Sequence, residues 1–186
     1  GREHDLDATD QNHFGRVGYL LTERWQGALE AGYTRDSQPD RDIEVSGLVL
    51  STNKRAHTHY GASTGYTFTE KLSSSVSYTY DEDDFQEDDP YDTGTSDSTA
   101  QNASLVVSRD ISSIIPGTVG QLSLGYALYE YPDEKIVNHS ASVGAHYSLS
   151  EVFSLLVGVG RYYSRSRFDY DWFFLHVDET GHSRGN

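Results

Sequence analysis

The stretch Gly120-Gln121-Leu122-Ser123-Leu124-Gly125-Tyr126-Ala127-Leu128-Tyr129-Glu130 alternates along its length. Leu122, Leu124, Tyr126 and Leu128 fall on one side, and Gln121, Ser123, Gly125 and Ala127 on the other. A period of two over this length means an extended strand with two unlike faces. Lys71–Tyr80 repeats the pattern, with Leu72, Ser74, Val76, Tyr78 and Tyr80 set against Ser73, Ser75, Ser77 and Thr79. In Val152–Tyr163, Phe153, Leu155, Val157 and Val159 oppose Ser154, Leu156, Gly158 and Gly160. Extending the count outward gives about eight strands, at 11–21, 25–36, 55–68, 71–83, 98–109, 119–131, 135–149 and 152–165.

These runs are roughly 11–15 residues long, whereas strands of soluble proteins are mostly about 5–6. A tilted strand needs roughly 9–11 residues to cross a bilayer. The less apolar side is also unlike a solvent face. It carries Ser, Thr, Gly, Ala and His, as in His59, Gly61, Ser63, Gly65 and Thr67, where a soluble sheet would turn Lys, Glu and Arg to water. Small polar residues suit a curved inner wall.

Composition agrees. Hydrophobic residues make up 35% of the 186-residue chain, below the roughly 45–50% usual for soluble domains. Fourteen Tyr and seven Phe are too many for a solvated coil. A transmembrane barrel reconciles the two, because only alternate residues must face lipid. The formal net charge of −15 argues against nucleic acid as a partner. With no cysteine, disulfides and thiolate metal sites are excluded. No stretch reaches the length of a transmembrane helix. No secretory signal is present at Gly1-Arg2-Glu3-His4, so an outer-membrane reading requires a mature or excised chain.

Three tight connections share one pattern of apolar, hydroxyl, Glu, any residue, apolar: Leu21–Trp25, Phe68–Leu72 and Leu149–Phe153. A fourth, longer turn is expected at 109–118, around Ile114, Ile115 and Pro116. The remaining connections, Asp36–Lys54, Asp81–Asp97 and Tyr131–Lys135, are longer or more polar. Outer-membrane barrels have short periplasmic turns and longer external loops. The tight turns are therefore assigned to the periplasm. Asp81, Glu82, Asp83, Asp84, Glu87, Asp88 and Asp89 are assigned to an acidic external loop. Tyr33, Tyr78, Tyr80, Tyr129, Tyr131, Tyr162 and Tyr163 then gather near the outer strand ends as an aromatic girdle.

The expectation is an all-β, antiparallel, up-and-down transmembrane β-barrel. Residues 1–186 form one barrel segment, with strands over about 11–165 and external loop or tail at 1–10 and 166–186. Both ends fall on the external side, so the segment is read as part of a larger barrel of about ten or more strands, with an eight-strand barrel in itself as the alternative. His59, Ser63, Gly65, Ser73, Ser75, Ser77, Thr79, Gln121 and Ser123 are the expected pore-lining, inward-facing residues. That wall supplies hydroxyls and glycines but few fixed charges.

At the tight turns, Tyr66-Thr67-Phe68-Thr69-Glu70-Lys71-Leu72-Ser73-Ser74-Ser75-Val76-Ser77-Tyr78 resembles hairpins of outer-membrane β-barrel porins associated with exopolysaccharide export. Tyr147–Phe153 and Leu20–Trp25 repeat the resemblance, which spans roughly 11–165. It implies transport across the bacterial outer membrane, with lipid and lipopolysaccharide as surroundings and envelope export proteins as partners. Barrels that sheathe haem proteins in electron transfer have similar Tyr- and Asp-rich hairpins. A structural sheath or anchor for a multihaem cytochrome is therefore the alternative function, and a surface-binding barrel a further one.

The resemblance supplies no catalytic residue. No G-x-S-x-G elbow or H-E-x-x-H helix appears, so the chain is not expected to be an enzyme. His57 and His59 share a face at metal-ligand spacing but lack an obvious third ligand, and are read as wall residues. His139 and His146 fall on opposite faces. The acidic run lacks the Gly and spacing of a calcium-binding loop. No metal or cofactor is expected.

Overall fold

The computed structural model describes residues 10–36, 54–86, 96–149, 153–172 and 175–185. They form one nine-stranded antiparallel sheet in which strand order equals chain order. The strands are β1 (Gln11–Thr22), β2 (Trp25–Asp36), β3 (Lys54–Thr69), β4 (Leu72–Gln86), β5 (Ser98–Asp110), β6 (Thr118–Glu130), β7 (Glu134–Ser148), β8 (Ser154–Trp172) and β9 (Leu175–Gly185). The architecture is the expected all-β, up-and-down one.

Three boundaries differ from expectation. The region 166–186, expected as an external tail, instead completes β8 and forms β9, paired from Tyr162↔Gly185 to Trp172↔Leu175. The described sheet thus has nine strands where the periodicity predicts about eight. Polar residues such as Arg165, Arg167, His182 and Arg184 hide this hairpin from a hydrophobic pattern. Thirdly, Asp81, Glu82, Asp83 and Asp84 belong to β4, not to a loop. The ladder continues because β3 places Arg55, His57 and His59 beside two of these carboxylates. Glu87, Asp88 and Asp89 lie outside the described residues, as does the turn at 150–152.

The register fixes the faces, because residues directly opposite each other in an antiparallel pair lie on the same side of the sheet. One row runs Val17, Leu29, Ala62, Tyr78, Ala103, Tyr126, His139, Tyr163 and Arg184 across all nine strands. The row beside it, on the opposite face, runs Gly18, Ala28, Ser63, Ser77, Ser104, Gly125, Ser140, Tyr162 and Gly185. One face is therefore apolar and aromatic, the other small and polar. Leu72, Val76, Leu122, Leu124, Leu155 and Val157 share the apolar face, as the alternation predicts. Phe14, Leu20, Val119 and Leu156 are apolar residues on the polar face.

No apolar side chain among the described residues is buried. Leu29 is 55% exposed, Val143 56% and Val159 68%. A water-soluble domain would bury such residues in a core. A surface whose apolar residues lie open and mostly on one face calls for an apolar surrounding.

Aromatic residues bracket that face. Trp25 pairs with Tyr66 near the tight turns, and Tyr33, Tyr60, Tyr80 and Tyr163 lie toward the other strand ends. The eight steps from Trp25 to Tyr33 cover about 26 Å along the strand. Tilted by about 40°, they span on the order of 20 Å, close to the apolar band of an outer-membrane barrel. Trp25 Nε1 donates to Thr64 Oγ1 at 2.7 Å, which satisfies the indole while its ring stays on the apolar face. Tyr129 and Tyr162, expected in the outer girdle, lie instead on the polar face, and Tyr131 lies in the β6–β7 connection. Their neighbours Leu128 and Tyr163 occupy the apolar side, so strict alternation sends them the other way.

The tight turns are built alike. The Arg24 amide donates to Thr22 Oγ1 and the Lys71 amide to Thr69 Oγ1, both at 3.3 Å. A register shift precedes each turn, at Leu20/Thr22 and Thr67/Thr69. The hydroxyl two residues back thus closes the turn and leaves Glu23 or Glu70 outside it. The longer turn falls where expected, between Asp110 and Thr118, with Ile114 79% exposed. Gly117 turns the chain at φ 72°, where any side chain would be strained. Asp110, beyond the apolar band, accepts from the Ser112 amide at 2.7 Å. Hydrogen bonds from the Ser112 side chain and amide hold its carboxyl below the ordinary carboxylate range.

Replacing Leu124 by Arg should destabilise the folded protein in bilayers by about 2–4 kcal/mol, the range for a cation near the midplane of a lipid-facing surface. Ser75→Arg, on the opposite face, should cost far less. Reversible denaturant unfolding in lipid vesicles measures both, and equal losses would contradict the assignment of the faces.

Candidate functional site: a charged ladder on the polar wall

The polar face is built from β-strand positions that carry almost nothing beyond Cβ or a hydroxyl. All nine expected pore-lining residues share it: His59, Ser63, Gly65, Ser73, Ser75, Ser77, Thr79, Gln121 and Ser123. The hydroxyls meet across strands. Ser77 Oγ and Ser104 Oγ lie 2.7 Å apart, and Asn102 Nδ2 donates to Thr79 Oγ1 at 3.3 Å.

Toward the ends of the strands away from the tight turns, the same face becomes charged. His59 stands directly opposite Asp81 and His57 opposite Asp83. His59 Nδ1 lies 2.6 Å from Asp81 Oδ1, and His57 Nδ1 lies 2.8 Å from Asp83 Oδ1. The Arg55 guanidinium donates to the same Asp83 oxygen, from Nε at 2.7 Å and from its terminal nitrogen at 2.6 Å. On the other side of His59, Glu30 Oε1 lies 3.4 Å from Nε2. Arg16 Nε completes the row at 3.9 Å from Glu30 Oε2. Acidic and basic groups therefore alternate across β1, β2, β3 and β4.

Gly61 makes the middle of this ladder possible. It is the direct partner of Glu30 and is buried beneath it. A Cβ at Gly61 would lie 2.5 Å from the Glu30 carboxylate. Without one, the Glu30 side chain lies down along the sheet and reaches His59.

This arrangement corrects the expectation of a wall with few fixed charges. Three carboxylates, Glu30, Asp81 and Asp83, and two guanidiniums, Arg16 and Arg55, sit on it in addition to the histidines. The signal was present in the sequence. Counting back from the two-residue turn at Glu70-Lys71, with one bulge, sets 59 against 81 and 57 against 83. Histidines and aspartates at matching parity on hairpin neighbours thus announce a cross-strand ladder. Among the described residues, no group of three His, Asp or Glu is placed to hold a metal ion. His139 and His146 do face opposite ways, His139 between Tyr126 and Tyr163 and His146 on the polar wall.

The row is half-buried, and its opposite charges lie at contact distance. It can hold water and polar solutes in a transverse field whose balance is negative when the histidines are neutral.

No family model and no curated protein sequence matches the chain. Among solved structures, it is similar to OmpT (in-vitro folded), an outer membrane protein of Vibrio cholerae in its trimer form. The TM-score is 0.61 at 13% sequence identity, over 94% of this chain and 53% of that one. The chain thus spans about half the length of the solved structure it matches. The fold is that of a bacterial outer-membrane β-barrel wall.

A double-mutant cycle on Arg55→Gln and Asp83→Asn should give a coupling of roughly 0.5–1 kcal/mol, as for a partly exposed ion pair of good geometry. Unfolding in lipid vesicles measures it, and the coupling should shrink as salt is raised. A coupling of zero at low salt would show that the ladder is not formed.

Proposed function

We propose that the chain forms part of the wall of an outer-membrane pore that passes polar solutes. The observation that carries the reading is the polar face of β3, β4 and β5, hydroxyl- and glycine-lined near the tight turns and charged near the outer ends. A barrel wall with its apolar face to lipid turns this side to the lumen. Hydroxyls donate and accept, so they can exchange hydrogen bonds with water or with sugars along a path. Glycan passage fits this lining, and the resemblance to exopolysaccharide-export porins makes a polysaccharide or small sugar the preferred passenger, with envelope export proteins as partners.

A catalytic role is not part of the proposal. Both nitrogens of His59 face carboxylates, Asp81 at 2.6 Å and Glu30 at 3.4 Å. Neither is left to activate a hydroxyl nucleophile. His57 is bonded through Nδ1 to Asp83 at 2.8 Å, and its Nε2 faces the Asp81 carboxylate at 3.7 Å, beyond hydrogen-bond distance.

The pore should prefer cations over anions, because carboxylates outnumber guanidiniums in the ladder and their field acts over a Debye length of about 8 Å at physiological ionic strength. Reversal potential across a KCl gradient, measured on the full-length protein in planar bilayers, tests this. Asp81→Asn with Asp83→Asn should reduce the preference. Anion selectivity at low salt would refute the charge argument. An absence of conductance would defeat the pore and favour a lumen filled by another protein, as in a sheath around a multihaem cytochrome.

A further inference from the structure

Among the described residues of this acidic chain, basic groups gather on the apolar face of β7, β8 and β9. Arg161, Arg165 and Arg167 project from β8 on the side of Val159, and Arg184 and His182 lie beside them on β9. Lys135 of β7 is the direct partner of Arg167 and also meets Glu130. All six side chains are exposed. In a barrel this face meets lipid, where a cation near the midplane is costly and one at the headgroup level is not.

The aromatic residues fix that level. Tyr126, His139, Tyr163 and His182 form a continuous row of rings across β6, β7, β8 and β9, with centroids 5.4, 6.5 and 5.8 Å apart. The Arg184 guanidinium carbon lies 5.6 Å over the Tyr163 ring, and Tyr163 Oη lies 2.6 Å from His182 Nδ1. Such rings mark the membrane interface. Arg161 stands one step to the apolar side of this row, and Arg165 and Arg167 one and two steps beyond it. The basic groups thus straddle the headgroup region over about 20 Å along the strand.

Immediately toward the apolar band lies a shallow groove lined by Leu122, Ala141, Val143, Val159 and Arg161. Guanidiniums above an apolar groove match a ligand with phosphates at one end and acyl chains at the other. Arginine is suited to phosphate because its planar fork donates two hydrogen bonds at once. Arg161 on one side of the Tyr163 row and Arg165, Arg167 and Lys135 on the other can each take one phosphate, which favours a headgroup carrying two.

We propose that this strip binds a bis-phosphorylated, acylated glycolipid of the outer leaflet, the lipid A portion of lipopolysaccharide. The proposal rests on the orientation with the tight turns in the periplasm, and it does not require the lumen to conduct.

The test titrates the full-length protein in neutral detergent with bis-phosphoryl lipid A, monophosphoryl lipid A and phosphatidylglycerol, following binding by native mass spectrometry. Bis-phosphoryl lipid A should bind most tightly and the single-phosphate lipids more weakly. Arg165→Gln with Arg167→Gln should weaken bis-phosphoryl lipid A by at least about tenfold, the loss of one charge-assisted contact or more. Arg161→Gln should weaken it from the other side of the ring row. Ser75→Gln on the polar face should leave it unchanged, and circular dichroism of each variant verifies folding. Equal binding by folded wild type and folded Arg variants would overturn the site. Phosphatidylglycerol binding as well as lipid A would overturn the glycolipid assignment. Conductance of the same preparations in bilayers free of lipid A separates the two readings. A conducting protein without lipid selectivity sinks this inference alone, and a selective protein without conductance sinks the pore alone.

Discussion

A peptide group inside a bilayer must find its hydrogen-bond partner within the protein, because hydrocarbon offers none. That requirement organises this chain. Each strand pairs antiparallel with the next in sequence, from β1 to β9. Once pairing is fixed, the two-residue period of a strand assigns every side chain to one of two environments. The apolar residues do not gather in a core, and among the described residues none of them is buried. Stability has to come from the ladder and from the match between the outer face and lipid.

The same parity sorts the charged groups. Positions facing lipid can hold only apolar, aromatic or interface-seeking residues, so charge that is to work inside the barrel must occupy the alternate ones. Glu30, His57, His59, Asp81 and Asp83 do so, and they meet because hairpin neighbours share a register. Gly61 gives the Glu30 side chain room to lie along the wall. Arg161, Arg165 and Arg167 break the apolar rule on the other face, Arg161 one step short of Tyr163 and the other two beyond it.

Much of this was legible from the chain alone. Alternation around Leu122 and Leu124, and the repeated Thr-Glu turns, carried strand positions to within a few residues and placed all nine expected wall residues on one face. What escaped was whatever alternates without hydrophobicity. Beyond the apolar band, the face that is apolar elsewhere carries Arg165, Arg167, His182 and Arg184, so a hydrophobic pattern does not follow the β8–β9 hairpin there. Asp81–Asp84 look like a loop as a run of acids, and become a strand only when Arg55, His57 and His59 are laid alongside. Tyr129 and Tyr162 were misassigned because proximity to a strand end was used where parity decides. Pairwise complementarity across a register is information that a single strand read by itself does not contain.

The identity of chain order and strand order also bears on how the molecule is made. The β1–β2, β3–β4 and β6–β7 hairpins close short loops, so little chain entropy is lost before their contacts form, and topology of this kind favours rapid local assembly. The Thr22 and Thr69 hydroxyls that close their own turns allow β1–β2 and β3–β4 to nucleate independently. Growth then proceeds by nearest-neighbour addition, as in a solenoid, where the stability of any unit depends on itself and the two beside it. A defect in one strand is accordingly contained by its flanking hairpins, which makes the wall tolerant of insertion or loss of whole hairpins over evolutionary time.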